Sequence, residues 1–181
     1  LKNLNKKFDV IESIGTLHHM KEPEKGLKIL VDILKPHGFL KLGLYSEKAR
    51  DYVIKTRKII KEKNFKNSIE DIRKCREIIF NKKNDVVIKK IIERGDFYST
   101  SNVRDLLFHV QEHRFTIPQI SKMLKKFDLE FLGFTNSSIK KKFLKFFPQD
   151  DISSFESWDK FEEKNPNSFM GMYQFWVKKM L

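Results

Sequence analysis

Between Phe8 and Gly15 the chain reads FDVIESIG, with Val10, Ile11 and Ile14 in a short apolar run closed by a glycine, the pattern of a buried parallel strand. Pro23 then suits the first turn of a helix. Leu27, Leu30, Val31 and Leu34 recur along one helical face, up to a stop at Lys35, Pro36, His37 and Gly38. Phe39 to Tyr45, FLKLGLY, has the character of a second strand. Residues 8–45 therefore predict strand, crossover helix, strand, and with them an α/β fold.

From Ser46 to Thr116 the period becomes helical. Ala49, Val53, Ile59 and Ile60, then Ile69, Ile72, Ile79 and Phe80, then Val87, Ile88, Ile91 and Ile92 mark successive apolar faces. Ser46 and Ser68 suit N-caps, and polar breaks at Lys63 to Asn67 and Asn81 to Asn84 separate the helices. Ser101 is expected to cap a further helix through Val103, Leu106, Leu107 and Val110. Thr116 and Gln119 have capping-box spacing before Ile120, Met123, Leu124 and Phe127. Leu129 to Phe134 predicts a strand, Ser138 to Phe147 a basic helix, Phe155, Trp158 and Phe161 one face of another, and Met170 to Val177 a last strand. The expected organisation is one domain over 1–181, with a helical subdomain at 46–115 inserted between 1–45 and 116–181.

Composition changes this picture little. The 181 residues are 40% hydrophobic and 34% charged, as in a soluble globular chain. No stretch reaches the length of a membrane span and Leu1 to Lys7 lack a signal peptide's apolar core, so no membrane partner and a cytoplasmic location are expected. Cys75 is the single cysteine, which excludes an internal disulfide and a cysteine-based zinc cage. Leu1 in place of a starting methionine is what a piece of a longer protein would show. The net charge of +13 raises nucleic acid as a partner, most of all at Lys140 to Lys142 and Lys145, where Phe143, Phe146 and Phe147 interleave. Lysine is spread along the whole chain, however, which reads more simply as solvated faces.

FDVIESIGTLHHM, ILKPHGFLKLGLY, TIPQISKMLKKFDLEFLGF and the final YQFWV together resemble the C-terminal half of a class I S-adenosylmethionine-dependent methyltransferase. RDLLFHVQEHRFT is similar to methyltransferase domains of bacterial proteins that also carry tetratricopeptide repeats. The resemblance implies a partial Rossmann-like sheet, the fourth to seventh strands of the order 3-2-1-4-5-7-6, with the last strand antiparallel. It also implies S-adenosylmethionine as cofactor, with Ser13, Ile14, Gly15, Leu17 and His18 on its side of the pocket. Two departures stand out. The family's glycine-rich loop and ribose-binding acidic residue have no counterpart, since the seven glycines are dispersed, so cofactor binding by this chain is expected to be weak or absent. His37 stands where the family commonly has a second glycine.

Methyl transfer needs donor and acceptor aligned and, for a hydroxyl or amine acceptor, a group to take a proton. His109, Glu112 and His113 are the candidates for that acid/base work, because imidazole titrates near neutrality and a carboxylate can orient it. Arg104 and Arg114 are candidates to hold an acidic substrate group, and Tyr45, at a strand's carboxyl end, a pocket wall or donor. Each has a plainer alternative: Leu17 and Met20 as core, His18 and His19 as turn caps, HVQEH as a polar loop, Tyr45 as a strand-end aromatic. HVQEH also spells the inverted zinc-protease signature H-x-x-E-H, for which Glu130, Glu156, Glu162 or Glu163 would have to serve as third ligand. The following HRFT with its capped helix agrees better with the methyltransferase phrase.

Two function classes follow. One is a methyltransferase portion acting on an unidentified acceptor; the other is a non-catalytic interaction or assembly module that retains half of that fold. In the family's order Phe8 to Gly15 would lie between two strands, so here one side of it is left unpaired. Homodimerisation through this edge is expected, or its coverage by the N-terminal residues or the helical insertion.

Overall fold

The computed structural model describes residues 4–109 and 111–181. In chain order the elements are β1 (Phe8–Ile14), α1 (Pro23–Ile33), β2 (Leu34–Leu44), α2 (Asp51–Glu62), α3 (Ile69–Asn81), α4 (Val86–Ile92), α5 (Thr100–Leu107), α6 (Ile117–Lys126), β3 (Leu129–Phe134), α7 (Ser137–Phe146), α8 (Phe155–Lys164) and β4 (Tyr173–Lys179). They fall into two compact units, a sheet unit of Leu1–Ala49 with Gln111–Leu181 and a helical unit of Arg50–Val110.

In the sheet unit the strands lie in the order β1-β2-β4-β3, with β1 parallel to β2 and β4 antiparallel to both its neighbours. This is the fourth, fifth, seventh and sixth strands of the expected order. The two faces differ. Leu40, Leu42 and Leu44 of β2, Phe131 and Phe134 of β3, and Tyr173, Phe175 and Val177 of β4 are buried against Leu27 and Leu30 of α1, Ile120 and Leu124 of α6, and Trp158 and Phe161 of α8. Val10, Phe39 and Leu132 remain exposed at 53%, 42% and 38%, although a doubly wound sheet covers both faces. The alternation in β2 and β4 is thus a half-buried pattern, in which Lys41 and Trp176 face away from the core as neighbours across the ladder.

β1 departs most from its expected burial. Only Ser13 in it is buried, because β1 ends the sheet and has β2 alone as a neighbour among the described residues. β2 begins at Leu34, earlier than Phe39, since Leu34 already pairs with Phe8 before Lys35 to Gly38 loop out of register. His37 sits at the tip of that excursion with φ +60°, the left-handed region that glycine enters freely, which explains why glycine suits this position. Gly38 is fixed for another reason: a Cβ there would lie 2.9 Å from the carbonyl oxygens of Asp9 and Lys35. β4 starts at Tyr173, three residues later than expected, where pairing with Leu44 begins.

The helical unit is capped by short polar side chains. Ser68 Oγ accepts the Asp71 N–H at 3.1 Å, and Asp85 accepts those of Val87 and Ile88 at the start of α4. Helix α3 runs through Asn81, so the break falls later than the asparagines suggested. Ser99, not Ser101, caps α5: its backbone is extended and its Oγ accepts the Asn102 N–H, whereas Ser101 is already inside the helix. That helix ends at Leu107, and Val110 lies outside the described residues. Tyr52, Val53, Ile72, Cys75, Ile79, Ile91 and Val103 form the buried interior of this unit, and burial pushes the Cys75 thiol up to about 12. No helix among the described residues is long and apolar enough to cross a membrane.

Candidate functional site at the carboxyl ends of β1 and β2

Open α/β sheets present ligands at the carboxyl ends of their strands. Here β1 ends in Ile14 and Gly15, the latter at φ +74° with open space where a side chain would project. The chain then makes a single helical turn over Leu17–His19. His18, fully buried, packs against Tyr45 from the end of β2 with ring centroids 3.8 Å apart and planes tilted by 31°, and His19 meets His18 edge-on at 4.4 Å.

Residues 111–115 are stitched onto this corner by their backbone. The His113 N–H donates to the His18 carbonyl at 2.7 Å, the Phe115 N–H to the Tyr45 carbonyl at 2.8 Å, and the Glu47 N–H to the Phe115 carbonyl at 2.9 Å. Side chains add to it: His19 Nδ1 donates to the Gln111 carbonyl at 3.1 Å, and Gln111 Nε2 donates to the Met20 carbonyl at 3.3 Å. Gln111 Nε2 also lies 3.4 Å from His113 Nε2, a contact in which the amide can only donate. His113 is therefore held by its backbone against His18 and by Gln111 at its ring.

Behind this corner lies a buried carboxylate. Glu162 of α8 has no exposed surface and accepts hydrogen bonds from Ser46 Oγ and Tyr173 Oη, each at 2.7 Å. Burial raises its pKa, opposed in part by those two hydroxyls, and pushes the Tyr173 phenol above its ordinary range as well. Ser46 Oγ also accepts the Ala49 N–H at 3.0 Å, so that it caps the short turn over Lys48–Arg50 while Arg50 stands at the N-cap of α2 itself. Through Ser46, which bridges to Phe115, the carboxylate anchors the segment that carries His113.

Of the cofactor-side residues, Ser13 and Leu17 are buried, Leu17 within the core, while Ile14 and Gly15 reach the surface. His18, Tyr45 and His113 come together. Glu112 turns inward, its side chain 1% exposed and 3.8 Å from Arg114. His109 follows α5 in the helical unit; Arg104 lies within α5 and donates to Asn67 at 2.9 Å. Sequence reasoning passed over Gln111, His19's bond to it, and the burial of Glu162 between Ser46 and Tyr173. Among the described residues no three His, Cys, Asp or Glu side chains are grouped to hold a metal ion.

With strand order and corner in view, the fold can be matched to known structures. It resembles PKMT2 from Rickettsia typhi. Two structures of that protein, one of them in complex with AdoHcy, superpose with TM-scores of 0.65 and 0.69, over 98% of this chain and 36% and 38% of theirs, at 16% identity. The chain thus spans little more than a third of PKMT2, and the likeness is one of fold. No family model matches the sequence. A 43-residue stretch, 24% of the chain, is 42% identical to an uncharacterized protein, syc1184_c, of Synechococcus sp., of which it covers 10%.

Proposed function

We propose that the chain is a portion of an S-adenosylmethionine-dependent methyltransferase. The observation that carries this reading is the superposition of this fold, over 98% of the chain at a TM-score of 0.69, on a protein in complex with AdoHcy, the species left when S-adenosylmethionine gives up its methyl group. The parallel β1–β2 pair with an antiparallel β4 between β2 and β3 is the order the family resemblance implies. The phrase RDLLFHVQEHRFT supports the narrower likeness to domains that accompany tetratricopeptide repeats. The corner residues fit one side of such a cofactor: Gly15 leaves room for close approach, and Tyr45, with the buried His18 ring packed against it, offers an aromatic wall. Residues for its amino-acid and ribose groups are not in this chain.

In this reading the cofactor supplies the electrophilic methyl, and the chain's own residues serve the acceptor. His113 Nε2 takes the acceptor's proton once Gln111 yields its contact. Tyr45 walls the pocket, Arg114 orients a charged group, and Glu112 steadies Arg114. His109 and Arg104 belong to the helical unit, and the geometry of the corner assigns them no role. Calorimetric titration with AdoHcy tests the reading. The 181-residue chain should bind weakly or not at all, and protein that also carries the coding sequence preceding Leu1 should bind in the micromolar range. Failure of the longer protein to bind would overturn the reading, and micromolar binding by the 181-residue chain would overturn its partial character.

A second reading, an assembly module, is favoured by the β1 edge, which has no strand beside it among the described residues, and by the exposed Val10 and Phe39. A free strand edge templates another strand, and a second copy of this chain is its simplest occupant. Since the +13 charge repels like chains, a homodimer formed this way should tighten as salt rises toward a Debye length of about 3 Å at 1 M. Sedimentation across a salt series checks it; a monomer at every salt and protein concentration would sink it.

A further inference from the structure

Next to His113 the sheet unit has a second concavity. A groove of about 790 Å³ lies along His113–Phe115 and α6, and its charged lining is Arg114, Lys122, Lys125 and Lys126 against a single carboxylate, Glu24. Glu24 is occupied by Lys126 at 2.5 Å. Arg114 lies 3.8 Å from Glu112, too far for a hydrogen bond, and its Nε is buried without a hydrogen-bond partner among the described residues. Lys122 and Lys125 have no ion-pair partner among the described residues.

The pattern on α6 is particular. Lys122, Lys125 and Lys126 fall three and four residues apart on one helical face, where like charges repel, while Ile120, Met123 and Leu124 take the core face. The helix dipole accounts for cations in the last turn but not for Lys122, nor for Arg114 outside the helix. An anion between them would remove the repulsion and meet the exposed part of the Arg114 side chain, which is 29% exposed.

We propose that this groove binds an anionic group, phosphate or carboxylate, of the methyl acceptor, through the Arg114 guanidinium and the Lys122 and Lys125 ammonium groups. Calling the anion part of the acceptor rests on the methyltransferase reading; its binding does not. A guanidinium presents paired donors to two oxygens, and the two ammonium groups add charge without fixed geometry. An acceptor held by its anion would reach the corner beside His113 already oriented, which is where positioning lowers a transfer barrier.

The test is calorimetric titration of the chain with inorganic pyrophosphate and, separately, with citrate, at about 0.15 M salt so that diffuse attraction is screened. Wild type should bind at least one of them. K122E/K125E should weaken it by about tenfold or more, and Arg114→Gln comparably, since a charge-assisted fork is lost. K141E/K145E on α7 makes the same change in net charge away from the groove and should stay within about twofold of wild type. Tighter pyrophosphate than citrate assigns a phosphate acceptor, and the reverse a carboxylate. If K122E/K125E does not fold, judged by circular dichroism, Lys122→Gln replaces it and should weaken binding severalfold. No binding by wild type, or equal losses in both double variants, overturns the proposal. Anion binding without AdoHcy binding in the longer protein would end the methyltransferase reading and leave the groove standing; AdoHcy binding with no anion binding would do the opposite.

Discussion

Trp158→Ala should destabilise the sheet unit by about 3–5 kcal/mol, the range for removing a large aromatic from a packed core. Trp158 has no exposed surface, stacks on Phe143 at 3.9 Å and meets Phe134 edge-on at 4.9 Å. Its indole N–H donates to the Ile152 carbonyl at 2.8 Å, so truncation also strands an acceptor in the loop before α8. Helix α8 meets both α7 and β3 through this ring. Trp158→Phe keeps the stack and loses the hydrogen bond, and should cost about 1–2 kcal/mol, since only the bond and part of the ring are removed. Urea unfolding followed by the remaining Trp176 fluorescence measures both; a loss under about 1 kcal/mol for the alanine variant would show that the ring is not a core element.

Glu162→Ala should cost about 2–4 kcal/mol, because it leaves the Ser46 and Tyr173 hydroxyls buried without their acceptor. Glu162→Gln should cost less, and its effect should depend on pH. Burial raises the folded-state pKa of Glu162 above its ordinary value of 4.5. The unfolded chain therefore releases this proton first as pH rises. The carboxyl's contribution is fully present below the ordinary value and is lost as pH rises through the folded one. Glutamine does not titrate. Relative to wild type, the glutamine variant should thus gain stability as pH rises from the ordinary carboxyl value upward, and a pH-independent difference in urea midpoint would contradict the assignment.

The β1–α1–β2 unit was legible because its signals are local: short apolar runs, a proline at the first helical turn and a KPHG break. The capping box at Thr116 and Gln119 could be read for the same reason, and it forms as written. Edges of elements were less so. Ser99 and Ser101 are both good caps, and the choice between them depends on where the backbone leaves the extended region. The exposure of β1 is invisible to periodicity, which registers apolar positions but not whether a neighbouring strand exists to cover them. The site was half legible. His18, Tyr45 and His113 carry chemistry by type, whereas Gln111 matters through the Met20 carbonyl 91 residues away in sequence. Glu162, inside FEEK, reads as one more solvated helix charge. Only the convergence of Ser46 and Tyr173 upon it reveals a buried group.

The place of β4 has a consequence for how the protein is made. It follows β3 in sequence but lies between β2 and β3 in space. On the ribosome, β3 therefore has no strand to join until Tyr173–Lys179 has emerged, and β2 offers an unpaired side, with Leu40 and Leu42 flanking it, for as long. At about 5–20 residues per second the interval from Phe134 to Lys179 is roughly 2–9 s, during which the nascent chain exposes an apolar strand edge that the finished sheet conceals. Anything that slows translation through α7 and α8 lengthens that exposure, and a nascent chain halted before Tyr173 has lost the middle of its sheet rather than its margin.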